Sequence, residues 1–273
     1  MSTSPITFIG GGNMARSLIA GLVRQGVAPA SLHVAEPVTA LREALTAEFG
    51  IKAYASATEA AAQGTVWVLA VKPQVLRDVC ASLTDIARSK QPLVVSIAAG
   101  ITSGQLDRWL GGGQAVVRAM PNTPALLGAG VTGLFATAAV SAAQRAQANT
   151  VLASAGRTVW IDDEARMDAV TAVSGSGPAY VFLLAEAMEA AGIAQGLPAD
   201  AARTLVVQTL LGASRMLDES GEAPAELRRR VTSPNGTTQA AIERFQADGF
   251  EAMVARAIDA ATTRGQALSA AND

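Results

Sequence analysis

Short runs of residues that are apolar on both faces constrain this fold more than any other feature of the sequence. The runs are Ile6–Ile9, Leu32–Ala35, Thr65–Val71, Leu93–Ile97 and Ala115–Arg118, with further candidates at Gly130–Ala136 and Arg157–Ile161. Strands that are apolar on both faces belong in a parallel sheet covered by helices. Amphipathic helical segments separate the runs, which implies right-handed βαβ units. The sequence therefore predicts an α/β fold with a doubly wound sheet.

The pattern changes after about residue 162, where strands give way to apolar residues at helical spacing alone. The stripes run through residues 180–191, 202–217 and 250–268. We therefore expect two domains, an α/β domain over residues 1–162 and an all-helical domain over residues 163–273. The helical part contains much apolar surface for its size. Two explanations stay open, the core of a helical bundle and a face that a second subunit completes.

Composition excludes several classes of protein. Of 273 residues, 50% are hydrophobic and 16% are charged, and the formal net charge is -2. Such a chain is not disordered, and without a basic stripe it is not expected to bind nucleic acid. No stretch approaches the ~18 uncharged apolar residues of a membrane span, and no leader-like segment precedes the first strand, which predicts a cytoplasmic protein. The only cysteine, Cys80, excludes an internal disulfide or zinc cluster, so no metal site is expected, and the only histidine, His33, is not expected to be catalytic.

A glycine-rich turn follows the first apolar run. Gly10-Gly11-Gly12-Asn13-Met14-Ala15 fits the pattern G-x-G-x-x-A, and a helical segment follows from Asn13 to about Gln25. In this context Gly10 permits a tight turn, Gly12 allows the backbone to approach a pyrophosphate, and the helix N-terminus attracts negative charge. The turn predicts a dinucleotide site.

Two charged residues are expected near that site. Glu36 ends the second strand about twenty residues beyond the turn, where dinucleotide folds place the carboxylate that binds the adenosine ribose. The alternative is that Glu36 caps a helix beginning near Pro37. Lys72 follows the strand that ends at Val71, and ligands of such sheets lie beyond the carboxyl ends of the strands. The alternative for Lys72 is an exposed loop lysine.

Six motifs occur in an order that resembles one enzyme family. They are FIGGGNMA at 8–15, AVKPQ at 70–74, VVSIAAGI at 94–101, VRAMPNTPA at 117–125, AVSGSGPAY at 172–180 and TSPNGTT at 232–238. Together they resemble pyrroline-5-carboxylate reductase over the whole chain. Two positions depart from the family pattern: Asn235 stands where glycine is usual, and Glu36 stands where many members have a small or hydroxylated residue.

The resemblance implies a Rossmann-like domain followed by a helical dimerisation domain, with dimers assembling into a larger ring, and reduction of 1-pyrroline-5-carboxylate to L-proline by NADPH or NADH. It implies cofactor-binding roles for Gly10, Gly12, Asn13, Met14, Ala70, Lys72, Pro73, Ala98, Ala99 and Met120, to which the spacing described above adds Glu36. It implies a substrate pocket formed by Ser233, Gly236, Thr237, Thr238, Ser174, Gly175, Gly177 and Asn122. Thr238 and Lys72 are the candidate catalytic residues.

The segment from Ser233 to Thr238 suits the substrate chemically. A turn that bears hydroxyl groups and precedes a helix offers N–H and O–H donors to a carboxylate. Thr238 would orient the ring nitrogen, and a substrate that enters as an iminium needs no strong general acid. N-capping by Ser233 or Thr237 is the plainer interpretation of the same residues, and the two roles do not exclude each other.

Two rival functions are weighed against this one. A β-hydroxyacid dehydrogenase relies on a lysine in a helix of its second half, whereas no lysine follows Lys90 in this chain. A non-catalytic dinucleotide sensor would need the glycine-rich turn but not the Ser233–Thr238 segment.

The choice between NADPH and NADH stays open. The carboxylate of Glu36 disfavours a 2′-phosphate, and Arg42 would offset part of that repulsion if it folds back. We expect NADH to be used at least comparably to NADPH.

Overall fold

The computed structural model describes residues 4–272, and its first part is built on one eight-stranded sheet. The strands are β1 (Ile6–Ile9), β2 (Leu32–Ala35), β3 (Lys52–Tyr54), β4 (Val66–Leu69), β5 (Leu93–Ser96), β6 (Ala115–Met120), β7 (Gly130–Ala136) and β8 (Gly156–Trp160). Their order is β3-β2-β1-β4-β5-β6-β7-β8. The first six are parallel, β7 runs antiparallel to β6, and β8 is parallel to β7. The predicted doubly wound, Rossmann-like sheet is confirmed.

Helices cover both faces of this sheet. They are α1 (Asn13–Arg24), α2 (Thr39–Phe49), α3 (Ala57–Ala61), α4 (Pro73–Lys90), α5 (Ser103–Trp109) and α6 (Ala142–Ala153). Alternate residues of a strand enter different cores: Val68 of β4 packs on one side, while Trp67 packs on the other. The first core includes Leu18 of α1, and the second includes Leu83 of α4. Burial on both sides explains why these strands are apolar throughout.

Two features of the sheet were not expected from the sequence. The edge strand β3 has three residues and begins with the exposed Lys52, so it lacks an apolar run. The direction of β7 was also unassigned, because the spacing of apolar residues does not encode strand direction. Its reversal means that β8 ends at the opposite edge of the sheet from β1 to β6.

A buried ion-pair network holds the segment that follows β8. Arg118 of β6 is 4% exposed, and its guanidinium lies 3.5 Å from Glu164 Oε1 and 3.3 Å from Asp168 Oδ1. Glu164 also accepts hydrogen bonds from Ser103 N at 2.6 Å and from Ser103 Oγ at 2.5 Å. A Cβ at Gly265 would lie 3.2 Å from Asp168. One arginine therefore joins β6, the start of α5 and the segment after β8.

The chain divides by its contacts into two compact units. Among the described residues, the first comprises 4–176 together with 260–272, and the second comprises 177–259. The first therefore includes α7 (Met167–Val170), which follows β8. The predicted domain boundary at residue 162 follows the last strand and stays a prediction about the functional domains.

The second unit is helical. It contains α8 (Gly177–Ala194), α9 (Ala199–Glu219), α10 (Pro224–Arg230), α11 (Thr237–Ala247) and the beginning of α12 (Phe250–Ala271). The helical character expected for the second half is thus confirmed. Large apolar side chains of α8 are exposed in the single chain, with Phe182 and Leu183 each 66% exposed. No helix within residues 4–272 has the length and apolar character needed to cross a membrane.

Replacing Arg118 tests the ion-pair network. We expect Arg118→Met to lower the free energy of unfolding by about 3–5 kcal/mol, because it leaves the buried carboxylate of Asp168 and the partly buried carboxylate of Glu164 without a counter-charge. Urea denaturation would measure the change. Arg166→Met is the matched control, since that side chain is 73% exposed and lies 3.9 Å from Asp163; its loss costs less than about 1 kcal/mol. Equal stability of the two variants would contradict this account of the network.

Candidate functional site

The glycine-rich turn lies where β1, β2 and β4 end. Gly10 has a φ of 105°, and a Cβ there would lie 2.8 Å from Ala70 O. Gly10 N donates to Ala35 O at 2.9 Å, and Ala70 N donates to Ile9 O at 2.8 Å. Both the positive φ and the close backbone of the neighbouring strand exclude a side chain at Gly10.

Gly12 differs from Gly10 in what surrounds it. A Cβ at Gly12 would meet no described atom within 4 Å, so this position opens outward. Gly12 is the N-cap of α1 and offers no side-chain cap, which leaves the N–H groups of Asn13 and Met14 at an uncapped helix N-terminus. An open backbone at such a helix start fits a dinucleotide pyrophosphate.

Glu36 links this turn to the end of β2. Its side chain is buried, with Oε2 accepting from Gly11 N at 3.1 Å and Oε1 from Val38 N at 2.9 Å. Helix α2 begins at Thr39 after the N-cap Val38. The carboxylate therefore joins the glycine-rich turn to Val38, the residue before α2. Its contact with a ribose stays a prediction.

The side chain of Arg42 folds back over the turn that follows β2. Its Nη1 donates to Glu36 O at 2.9 Å and to Pro37 O at 3.2 Å, and its Nη2 donates to Thr39 Oγ1 at 3.2 Å. The guanidinium thus lies over the turn after β2, with the carbonyl oxygens on one side. The positive charge of Arg42 is thus held against the backbone that follows β2, and its effect on binding of a 2′-phosphate stays a prediction.

The predicted nicotinamide-side residues follow β4 and β5. Lys72 is the exposed N-cap of α4, and Pro73 is the first residue of that helix. Ala98 is buried and its N–H donates to Ser96 Oγ at 3.3 Å, whereas Ala99 is exposed. Because β1, β4 and β5 are parallel, these residues follow strand ends at one edge of the sheet, the edge where such folds bind ligands.

A π-helical turn after α7 brings three further candidates together. It spans Thr171–Gly175, and Ser176 N donates to Thr171 O at 2.8 Å. A Cβ at Gly175 would lie 2.6 Å from Met120 Cε, so glycine allows this turn to pack on the end of β6. Turns of this kind are frequent at functional sites. This turn was not expected from the sequence, although the closely spaced glycines of SGSGP were a signal for an irregular, tightly packed turn.

Asn122 ties that turn to the sheet. Its Nδ2 donates to Ser174 O at 3.1 Å, and its Oδ1 accepts from Val131 N at 2.9 Å. Ser174 Oγ in turn donates to Val170 O at 2.8 Å. Both ends of the Asn122 amide therefore have backbone partners, and its evident role here is to fix Ser174 and the start of β7.

The Ser233–Thr238 segment lies in the helical unit, just before α11. Asn235 has a φ of 59°, a conformation that asparagine tolerates better than most residues and glycine adopts freely, which accounts for its presence at a position where glycine is usual. Gly236 is the N-cap, and a Cβ there would lie 3.0 Å from Ser233 O. Gly177, the other candidate in this unit, begins α8.

The expectation that Ser233 or Thr237 caps this helix is wrong. Because Gly236 occupies the N-cap position, Ser233 lies too early in the chain and Thr237 is already the first helical residue. Within residues 4–272, the hydroxyls of Thr237 and Thr238 have no hydrogen-bond partner, and both residues are exposed. Two hydroxyls and the N–H groups of an uncapped first turn are thus available to an anionic ligand.

The single histidine and the single cysteine take no part in this arrangement. His33 is buried on β2, and burial together with the charge of Lys52 lowers its pKa. Cys80 is fully buried in α4, and desolvation raises the pKa of its thiol to about 12. A thiol with such a pKa stays protonated near neutral pH and is a poor nucleophile.

Comparison with known proteins gives consistent relatives for both parts of the chain. A family model described as pyrroline-5-carboxylate reductase dimerisation matches residues 164–268, and one described as NADP oxidoreductase, coenzyme F420-dependent, matches residues 5–100. The pyrroline-5-carboxylate reductase of Pseudomonas aeruginosa is 54% identical over 269 residues, covering 98% of either chain.

The solved structures that are similar to this chain include members of the same enzyme family. A pyrroline-5-carboxylate reductase from Coxiella burnetii is 39% identical, with a TM-score of 0.95 over 98% of this chain and 99% of that chain. The pyrroline carboxylate reductase of Plasmodium falciparum, solved with NADP bound, is 28% identical with a TM-score of 0.85 and the same coverage.

Gly10 and Gly12 differ in the space around them, and this difference predicts how the glycine-rich turn responds to substitution at each position. We expect Gly12→Val to weaken dinucleotide binding by about a hundredfold or more, because the new side chain occupies the space in which a pyrophosphate approaches. Its unfolding free energy should fall by only about 1 kcal/mol, the typical cost of losing a favourable N-cap. Fluorescence titration and urea denaturation measure the two effects.

Two further variants control this experiment. Gly104→Val places the same side chain in the first turn of α5, where the nearest atom to a new Cβ is Arg108 Nη1 at 3.8 Å, and should leave affinity unchanged. Gly10→Val should reduce stability itself, since its Cβ would meet the backbone of Ala70. Unchanged dinucleotide affinity in Gly12→Val would refute the placement of the pyrophosphate.

Proposed function

The chain belongs to the pyrroline-5-carboxylate reductase family, and on that premise we propose that it reduces 1-pyrroline-5-carboxylate to L-proline with NADPH or NADH. The observation that supports this most directly is the presence of two separate uncapped helix starts, one suited to the cofactor and the other to the substrate. The open helix start at Gly12 suits a dinucleotide, and the hydroxyl-bearing start of α11 suits a small carboxylate.

The dinucleotide role falls to the first 162 residues, which we propose as the cofactor domain. Gly10, Gly12, Asn13 and Met14 hold the pyrophosphate, and the residues that line the path towards the nicotinamide are Ala70, Lys72, Pro73, Ala98, Ala99 and Met120. When bound, the reduced nicotinamide supplies the hydride. The ammonium of Lys72, exposed at the start of α4, adds positive charge beside a polyanionic ligand.

The substrate role falls to Ser233, Gly236, Thr237 and Thr238, supported by Ser174, Gly175 and Gly177, while Asn122 contributes by holding Ser174 in place. The uncapped N–H groups and hydroxyls of α11 bind the carboxylate, and Thr238 orients the ring nitrogen. Hydride addition to the carbon of a protonated imine gives a secondary amine directly, so the chain needs to position its substrate and not to protonate it. This accounts for a site without histidine or an activated thiol.

Assembly follows from the helical unit. Residues 164–268 match a dimerisation family, and the apolar face of α8 is exposed in one chain. A second copy that covers this face would remove its surface from water and stabilise the pair. We extend the proposal to a homodimer, to a ring of such dimers and to the cytoplasm, where reduced nicotinamide cofactors are available. Light scattering of the purified protein separates a dimer from a larger ring.

The reaction itself is tested by following oxidation of the reduced cofactor with 1-pyrroline-5-carboxylate. We expect Thr238→Val to lower kcat/KM by about tenfold to a hundredfold, since it removes a hydrogen bond to a charged substrate while keeping the shape of the side chain. Thr150→Val is the matched control, because that hydroxyl donates only within its own helix, to Ala146 O. Absence of substrate-dependent oxidation in the native protein would exclude the proposed activity.

Cofactor preference provides a second test. We expect NADH to be used at least comparably to NADPH, and Glu36→Ser to shift the ratio of kcat/KM towards NADPH by about tenfold, on the order of 1.4 kcal/mol. The reason is that the carboxylate lies beside the turn that would receive a 2′-phosphate. A strong native preference for NADPH, or an unchanged ratio in Glu36→Ser, would leave Glu36 with its structural hydrogen bonds alone.

A further inference from the structure

The last turn of α12 packs against the loop between β5 and α5. Asn272 Nδ2 donates to Gly100 O at 3.2 Å and to Leu268 O at 2.8 Å. Gly100 has a φ of 69°, and a Cβ there would lie 3.3 Å from Leu268 Cβ. The loop is therefore shaped at Gly100 to receive the end of this helix.

A buried glutamine joins the same two elements from the other side. Gln105 is 1% exposed, and its Nε2 donates to Ser269 O at 3.0 Å. Its Oε1 accepts from Thr102 N at 2.8 Å, which completes a capping box at the start of α5. The same side chain thus fixes the end of the loop and satisfies a carbonyl in the last turn of α12.

The end of α12 also adjoins the first turns of α4. Asn272 and Ala271 line a small polar cavity of about 150 Å³ whose other walls include Pro73, Gln74 and Arg77. The end of α12 therefore lies beside Pro73 at the start of α4 and beside the loop that contains Ala98 and Ala99. The proposed function assigns these three residues to the nicotinamide side of the cofactor.

We propose that Asn272 and Gln105 are positioning residues for the dinucleotide, acting through the loop of residues 97–102. The proposal rests on the proposed function, since that assigns Ala98 and Ala99 to the cofactor. Neither side chain touches the cofactor. Each holds the loop in its binding conformation before the ligand arrives, so that binding does not have to order it.

Direct binding measurements test this. We expect Asn272→Ala to raise the Kd of NADPH and of NADH about fivefold each, the effect of losing roughly one net hydrogen bond. Gln105→Glu keeps the acceptor of the capping box but removes the donor to Ser269 O, and should act in the same direction. Ser269→Ala is the matched control: among the described residues its hydroxyl has no hydrogen-bond partner, although it lies in the same contact.

Two further readouts separate positioning from a general loss of stability. Amide hydrogen exchange at residues 98–102 should quicken in Asn272→Ala, while exchange in α6 stays as in the native protein. The KM for 1-pyrroline-5-carboxylate and kcat at saturating cofactor should change less than twofold, on the order of experimental scatter for an unaffected step.

The outcomes distinguish this proposal from the proposed function. If the native protein neither binds reduced nicotinamide cofactors nor reduces the imine, the proposed function fails. If it does both, and Asn272→Ala and Gln105→Glu bind cofactor as the native protein does, the positioning role is refuted. Equal weakening in Ser269→Ala would also refute it, because the effect would then come from the packing of the helix end and not from the two amides.

Discussion

The ion pairs of the buried Arg118 guanidinium with Glu164 and Asp168 are the interaction on which the arrangement of elements in the first unit most depends. A charge removed from water is tolerated only with close partners, and here Glu164 and Asp168 supply them. Because β7 and β8 reverse direction, the chain leaves β8 at the edge opposite to the glycine-rich turn. The ion pairs hold the segment that follows β8 against β6. The π-helical turn of that segment ends beside Met120, at the carboxyl end of β6.

The sheet and the glycine-rich turn were predictable because local sequence determines them. A strand such as Val66–Leu69 is apolar at every position since both faces are covered, and Gly10 must be glycine because the backbone of Ala70 leaves no room for a Cβ. The reversal of β7, the short strand Lys52–Tyr54 and the π-helical turn were not predictable. Each depends on contacts between residues far apart in the chain, and spacing along the sequence does not encode them.

In the candidate site, too, some features were predictable from local sequence and others depend on contacts between distant residues. Residue types indicated which side chains suit a dinucleotide or a carboxylate, but not which of them already have partners. Glu36 was assigned one of two roles, whereas its two carboxylate oxygens accept from Gly11 and from Val38. Asn122 was assigned to the substrate, whereas its amide has a backbone partner at each end. Hydrogen-bond partners are a property of the folded chain and become visible only in three dimensions.

The burial of Cys80 makes this chain convenient for spectroscopy. It is the only cysteine in the sequence. Desolvation keeps its thiol protonated, and burial shields it from maleimides and other alkylating reagents. A cysteine introduced on the exposed face of α6, outside the face proposed for dimerisation, would therefore be the sole reactive thiol without any need to remove the natural one. Spin labels at one such position would report the distance between the two chains of the proposed dimer, in a protein altered at that one residue.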